Sequence, residues 1–116
     1  MAEIVFATPV VDGKAELDRQ THDEMAGARR DEYEAALKEA GIRRQTVWHQ
    51  QMPGGRVLAI VYIEATDPDA HQRFTSSDGD INRWFVQRMQ ETLGRDVTQP
   101  PLPVELVHDI RVSRPA

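Results

Sequence analysis

An α+β domain with its elements in the order βαββαβ is the fold class the sequence predicts, on three observations. Val57-Leu58-Ala59-Ile60-Val61-Tyr62-Ile63 is an unbroken apolar run of strand length. Two longer stretches carry helical periodicity, and each ends at a glycine, Gly41 and Gly94, where a left-handed cap is expected. Short β-branched or alternating runs stand before, between and after them. At 116 residues the chain has the size of one domain, because two independent cores would each be too small to be stable.

The first strand is Ile4 to Val11, apolar and β-branched, stopped by Pro9 and Asp12-Gly13. From Gly13 to Ala40 there is no proline and most residues are good helix formers. His22, Ala26, Arg29, Tyr33, Leu37 and Ala40 recur at helical spacing and define an inward face. Leu17 lies nearly opposite on the same wheel, so a break is expected between Leu17 and His22. Ile42 to Met52 alternates weakly as the second strand, and Pro53-Gly54-Gly55 turns the chain. Arg56 to Ala65 is the third strand, too apolar to have a solvated face. Asp67-Pro68 suits a helix start, and a short helix is expected to about Ser76. Ile81, Trp84, Phe85, Arg88, Met89 and Thr92 then mark a second principal helix. Pro100, Pro101 and Pro103 form a stiff connector, and Val104, Leu106, His108, Ile110 and Val112 alternate with more polar neighbours as the last strand.

Four strands and two principal helices in this order predict a ferredoxin-like, four-stranded antiparallel sheet with helices on one face and the first and third strands at its centre. The other face carries apolar side chains of the third strand. A patch of that kind is unusual in a monomer, so a homodimer that buries it is the expected assembly.

Composition narrows the function classes. A net charge of −5 with acids and bases interleaved offers no basic surface for phosphates, so neither nucleic acid nor an anionic membrane is an expected partner. The third strand also lacks the paired aromatics of an RNA-binding sheet. The absence of cysteine excludes disulfides, thiolate metal sites and a cysteine nucleophile. Met1-Ala2-Glu3 and the short apolar run after it do not make a secretion signal, and no apolar stretch approaches about 18 residues, so the cytoplasm is the expected compartment. No GxGxxG, P-loop or G-x-S-x-G is present, and His22-Asp23-Glu24-Met25 opens like a zinc-protease motif without its second histidine. No metal and no cofactor are expected.

The candidate catalytic residues are His22, Arg29 and His108; the candidate ligand-binding residues are Tyr33, Trp48, His49 and Tyr62. His22 and Arg29 share the inward helix face across the small Ala26-Gly27-Ala28, where Arg29 would hold an anionic or enolate oxygen and His22 would move a proton. The competing reading pairs Arg29 with a carboxylate and leaves His22 at a wet helix end. Trp48 and His49 lie on opposite faces of one strand, so at most one looks into the pocket; Trp48 serves either as a stacking platform or as packing. His108 lies between Leu106 and Ile110, as a base of depressed pKa or as a satisfied core histidine. Tyr62 would reach a ligand or a partner chain.

The order of elements resembles the dimeric α+β barrel superfamily, which includes antibiotic-biosynthesis monooxygenases, muconolactone isomerases, ethyl-tert-butyl-ether-degradation proteins and chlorite dismutase-like haem proteins. Ala28-Arg29-Arg30-Asp31-Glu32-Tyr33-Glu34, Asn82-Arg83-Trp84-Phe85 and Glu105-Leu106-Val107-His108-Asp109 are further similar to a family of small bacterial proteins within it. The resemblance spans essentially the whole chain and implies a pocket between sheet and helices, not a reaction, because members use that place for unrelated chemistries. The expected function is small-molecule binding, with cofactor-independent oxygenase, isomerase or cyclase chemistry on an aromatic or polyketide-like compound. The alternative is a non-catalytic dimeric ligand-binding, structural or regulatory protein.

Overall fold

A computed structural model describes residues 1–113. Strand β1 (Ala2–Pro9) is followed by helices α1 (Ala15–Ala26) and α2 (Arg30–Ala40), strands β2 (Ile42–Gln51) and β3 (Val57–Ala65), and helices α3 (Ala70–Ser76) and α4 (Asp80–Leu93). The strands form one antiparallel sheet in the order β1-β3-β2. The most apolar strand is therefore central, and both flanking strands keep a free edge.

Alternation along β3 sorts the sheet into two sides. Val57, Ala59, Val61, Ile63 and Ala65 are buried under the helices, while Leu58, Ile60, Tyr62 and Glu64 between them are half-buried on the open side. The register puts Ala7 and Trp48 on either side of Ile60, and Val5 and Thr46 on either side of Tyr62. Val5 and Trp48 remain about half exposed, at 45% and 51%. The expected apolar second face is thus present, and none of the described residues of a single copy covers it. Under the helices, Phe74 contacts Tyr33 and Phe85 edge to face, with ring centroids 5.6 and 5.1 Å apart, and Ile63 packs in the same fully buried core. Such contacts add to the area the rings remove from water.

Three expectations are corrected. The fourth strand does not form: residues 101–113 belong to no helix or strand, and from Leu102 onward they are exposed. The sheet accordingly has three strands, and the βαββαβ order stops short of its last element. The helical stretch breaks at Gly27–Arg29, not between Leu17 and His22. There the amides of Gly27 and Arg29 both donate to the Glu24 carbonyl, and the small Ala26-Gly27-Ala28 run allows the chain to leave one axis and start another. No bend at Leu17 is needed because the buried face of α1 is Asp18, Thr21 and Met25, polar enough to hide from a hydrophobicity pattern. Finally, Asp67-Pro68 precedes the third helix: the Asp67 Oδ1 accepts the Asp69 amide at 2.9 Å, a turn that delays the helix to Ala70.

Candidate functional site

Asp18 is the centre of the polar constellation inside the fold. It leaves α1 on the sheet side and is fully buried, a position a carboxylate keeps only when it is paired. Its Oδ2 lies 2.6 Å from His49 Nε2 on β2 and 3.5 Å from His22 Nε2, one helical turn further along α1. Its Oδ1 accepts the Thr92 hydroxyl of α4 at 2.7 Å. One side chain thereby ties α1, β2 and α4 together. Burial pushes the Asp18 carboxyl upward, but the hydrogen bonds from His22, Thr92 and His49 outweigh it and hold it at about 2. A carboxylate only accepts hydrogen bonds, so the Nε2 of His49 is the donor.

Two depressions meet at this cluster. One is an apolar cleft between the sheet and α4, walled by Phe6, Val61, Phe85 and Met89, with Asp18, His22, His71 and Arg95 as ionisable groups. Its enclosed space is about 40 Å³, room for very few waters against the roughly 300–1,000 Å³ of ordinary ligand pockets. The other is an open groove of about 400 Å³ beside β2, lined by His22, Met25, Tyr33, Arg43 and Gln45 among others. His22, Gln45 and Val47 belong to both. Of the arginines along that groove, Arg30 faces Glu34 and Arg44 faces Glu64, each at 3.5 Å. Arg43 has no carboxylate within 4 Å among the described residues and donates only to the Met1 sulfur.

His71, on α3, sits beside the Phe6 ring with centroids 5.2 Å apart. Burial, with a smaller contribution from the Arg95 charge, pushes it down to about 4, so the ring is neutral near pH 7. Its Nδ1 is buried without a hydrogen-bond partner. An orphaned acceptor or donor in a native interior marks a strained or functional place, and here the residue borders the apolar cleft.

The residues singled out from sequence are dispersed over the fold. His22 and His49 converge on Asp18. Tyr33 is buried, and its hydroxyl donates to Gln45 Oε1 at 2.6 Å; burial raises its pKa. Arg29 lies outside the cleft, 3.0 Å from Glu32 and 3.5 Å from Glu24, with its guanidinium 4.6 Å from the Trp84 ring centre. It secures the junction of the first two helices. Trp48 stands on the open sheet face. Tyr62 is there too, its hydroxyl 2.6 Å from Glu3 and 3.0 Å from Glu64, a pairing with carboxylates that raises its pKa. His108 lies in the exposed segment after the proline connector. Sequence reading missed Asp18, Gln45, His71 and Thr92. Of these only Asp18 carried a signal, an acid four residues before His22 and so on the same helix face.

Among the described residues no three His, Asp or Glu side chains are arranged to hold a metal ion, and no helix is long and apolar enough to cross a membrane. No family model, curated protein or solved structure matches the chain.

Proposed function

We propose that the chain binds a small aromatic or enolisable molecule in the groove beside β2 and moves a proton on it with His22, held by Asp18, without a cofactor. One observation carries this reading: a buried carboxylate, kept ionised by its hydrogen bonds, stands behind a histidine that borders both depressions. A carboxylate in that place orients the imidazole, and a positioned imidazole is the commonest general base near neutral pH. Met25, Tyr33, Leu37 and Val47 along the groove give a ring apolar contact, and Arg43, which also lines it, suits a carboxylate or enolate oxygen on that ring.

A second reading is favoured by the satisfaction of Asp18 itself. With Thr92, His49 and His22 around it, the cluster accounts for itself as a clamp between three elements, and the protein would then carry a ligand without altering it. One experiment separates the two. Aromatic carboxylates and enolisable cyclic ketones are screened by thermal shift, and hits are followed by NMR in deuterated water. Proton exchange or conversion that falls roughly 100-fold or more in His22→Gln, while binding persists, is the expected result. Binding with no exchange in the native protein favours the carrier, and exchange that is as fast in His22→Gln removes His22 from the chemistry.

A further inference from the structure

We propose that residues 103–112 form a strand that pairs with the free edge of β1 in a second copy of this chain, the two copies exchanging it reciprocally. This goes beyond the groove chemistry and does not depend on it.

The segment has the character of a strand and the surroundings of none. Val104, Leu106, Ile110 and Val112, with His108 among them, alternate with Glu105, Val107, Asp109 and Arg111, the pattern of a ribbon with one more apolar side. Yet Leu106, Ile110 and Val112 are 77%, 72% and 71% exposed, and among the described residues none from 101 to 113 makes a backbone hydrogen bond. The radius of gyration, 15.1 Å, exceeds the roughly 13 Å of a compact domain of this length. Strand-forming apolar chain left in water with open backbone groups needs a sheet edge to pair with.

The way the segment leaves the body directs it to another molecule. Its root is fastened: Gln72 Nε2 donates to the Thr98 carbonyl, and Arg95 donates to the carbonyls of Gln99 and Pro100. Pro100, Pro101 and Pro103 follow, and a proline-rich connector is a stiff, extended spacer that resists folding back. Among the described residues the chain's own β1 edge stays unpaired, which leaves it open to the same element of an identical chain.

The two edges differ in what they accept. β2 carries Arg43, Arg44, Gln50 and Gln51 and has an irregular register between Ile42 and Arg44, features that discourage added strands. β1 has a regular register over its whole length, one charge, Glu3, and a proline at its last position only, Pro9. Strand addition at β1 also lengthens the bare apolar sheet face shared by Val5, Ile60 and Trp48, giving two copies more surface to bury against each other.

The test uses the full chain. In the single copy Val107 is 86% exposed, so Val107→Pro and Leu106→Asp leave the fold of one copy intact, and the helical signal in circular dichroism should be unchanged. Light scattering of the native chain is expected to give twice 13.2 kDa, falling to one chain's mass in each variant or needing at least tenfold more protein to associate. Hydrogen exchange should show slow amides in 104–112 and along β1, with fast exchange at both places in Val107→Pro. A native protein that stays a single copy at high concentration overturns the proposal. So does a dimer that survives both substitutions, or one in which 104–112 exchange freely or the newly protected edge is β2.

Discussion

At the scale of single residues the fold holds two ionisable groups in opposite ways. Asp18 is buried charged because three donors surround it, whereas His71 is buried neutral because burial and the Arg95 charge both disfavour its cation. The second case has a measurable consequence. His71 titrates at about 4 in the folded chain and at 6.5 in an ordinary setting. Between those values the unfolded chain binds a proton that the folded chain refuses, so this residue's contribution to stability is complete above pH 6.5 and is lost as the pH falls toward 4. The full loss is about 3 kcal/mol. Urea unfolding of the native chain at pH 7 and pH 4.5 should show that decline, and His71→Leu should remove most of it. If the variant loses as much stability as the native chain, the burial of a neutral His71 is not its source.

At the scale of elements, glycines show where geometry rather than propensity ends a helix or makes a turn. Gly41 closes α2 at a φ of 86°, and a Cβ there would come within 2.5 Å of the Thr66 Oγ1; Gly54, in the turn before β3, has a φ of 79° and open space around it. Alanine at Gly54 should cost about 1–2 kcal/mol, the left-handed penalty alone. Alanine at Gly41 should cost more, about 2–4 kcal/mol, because the penalty is joined by overpacking against Thr66. Denaturant midpoints of the two variants check this, and equal losses would mean that the crowding at Gly41 relaxes freely. Such elements were legible in sequence because local rules decide them: Gly41 and Gly94 do end helices, and Pro53-Gly54-Gly55 does turn the chain between paired strands. The break at Gly27 and the buried face of α1 were not. Asp18 and Thr21 are inside through partners on β2 and α4 that no window of the sequence contains. Arg29 was drawn to an inward face by spacing alone, and its partners Glu24, Glu32 and Trp84 belong to the outside of the same junction. His22 and His49 were each recognisable as polar candidates, but neither their meeting nor the carboxylate that joins them was.

At the scale of the whole molecule the sheet is a layer with one dry side and one bare side. The apolar run of β3 reads as a strand covered on both faces, but a single chain supplies helices for one face only, and the segment expected as a fourth strand lies away from both. Stability in one copy should therefore be distributed unevenly between the two sides of one sheet. Ile63 points into the helix side and is completely buried, whereas Trp48 points out from the neighbouring strand and is 51% exposed. Removing buried methyl groups forfeits their transfer energy and leaves a cavity that close packing cannot fill, so Ile63→Ala should cost about 2–5 kcal/mol. Trp48→Ser, despite the larger side chain lost, should cost under about 1 kcal/mol in dilute protein, because half of that ring is already in water. Urea unfolding at low micromolar concentration measures both. As the concentration rises, any second copy that covers the bare side should raise the cost of Trp48→Ser and leave that of Ile63→Ala where it was; a Trp48 penalty as large as that of Ile63 in the dilute, single-chain limit would mean that the chain itself shields its open face.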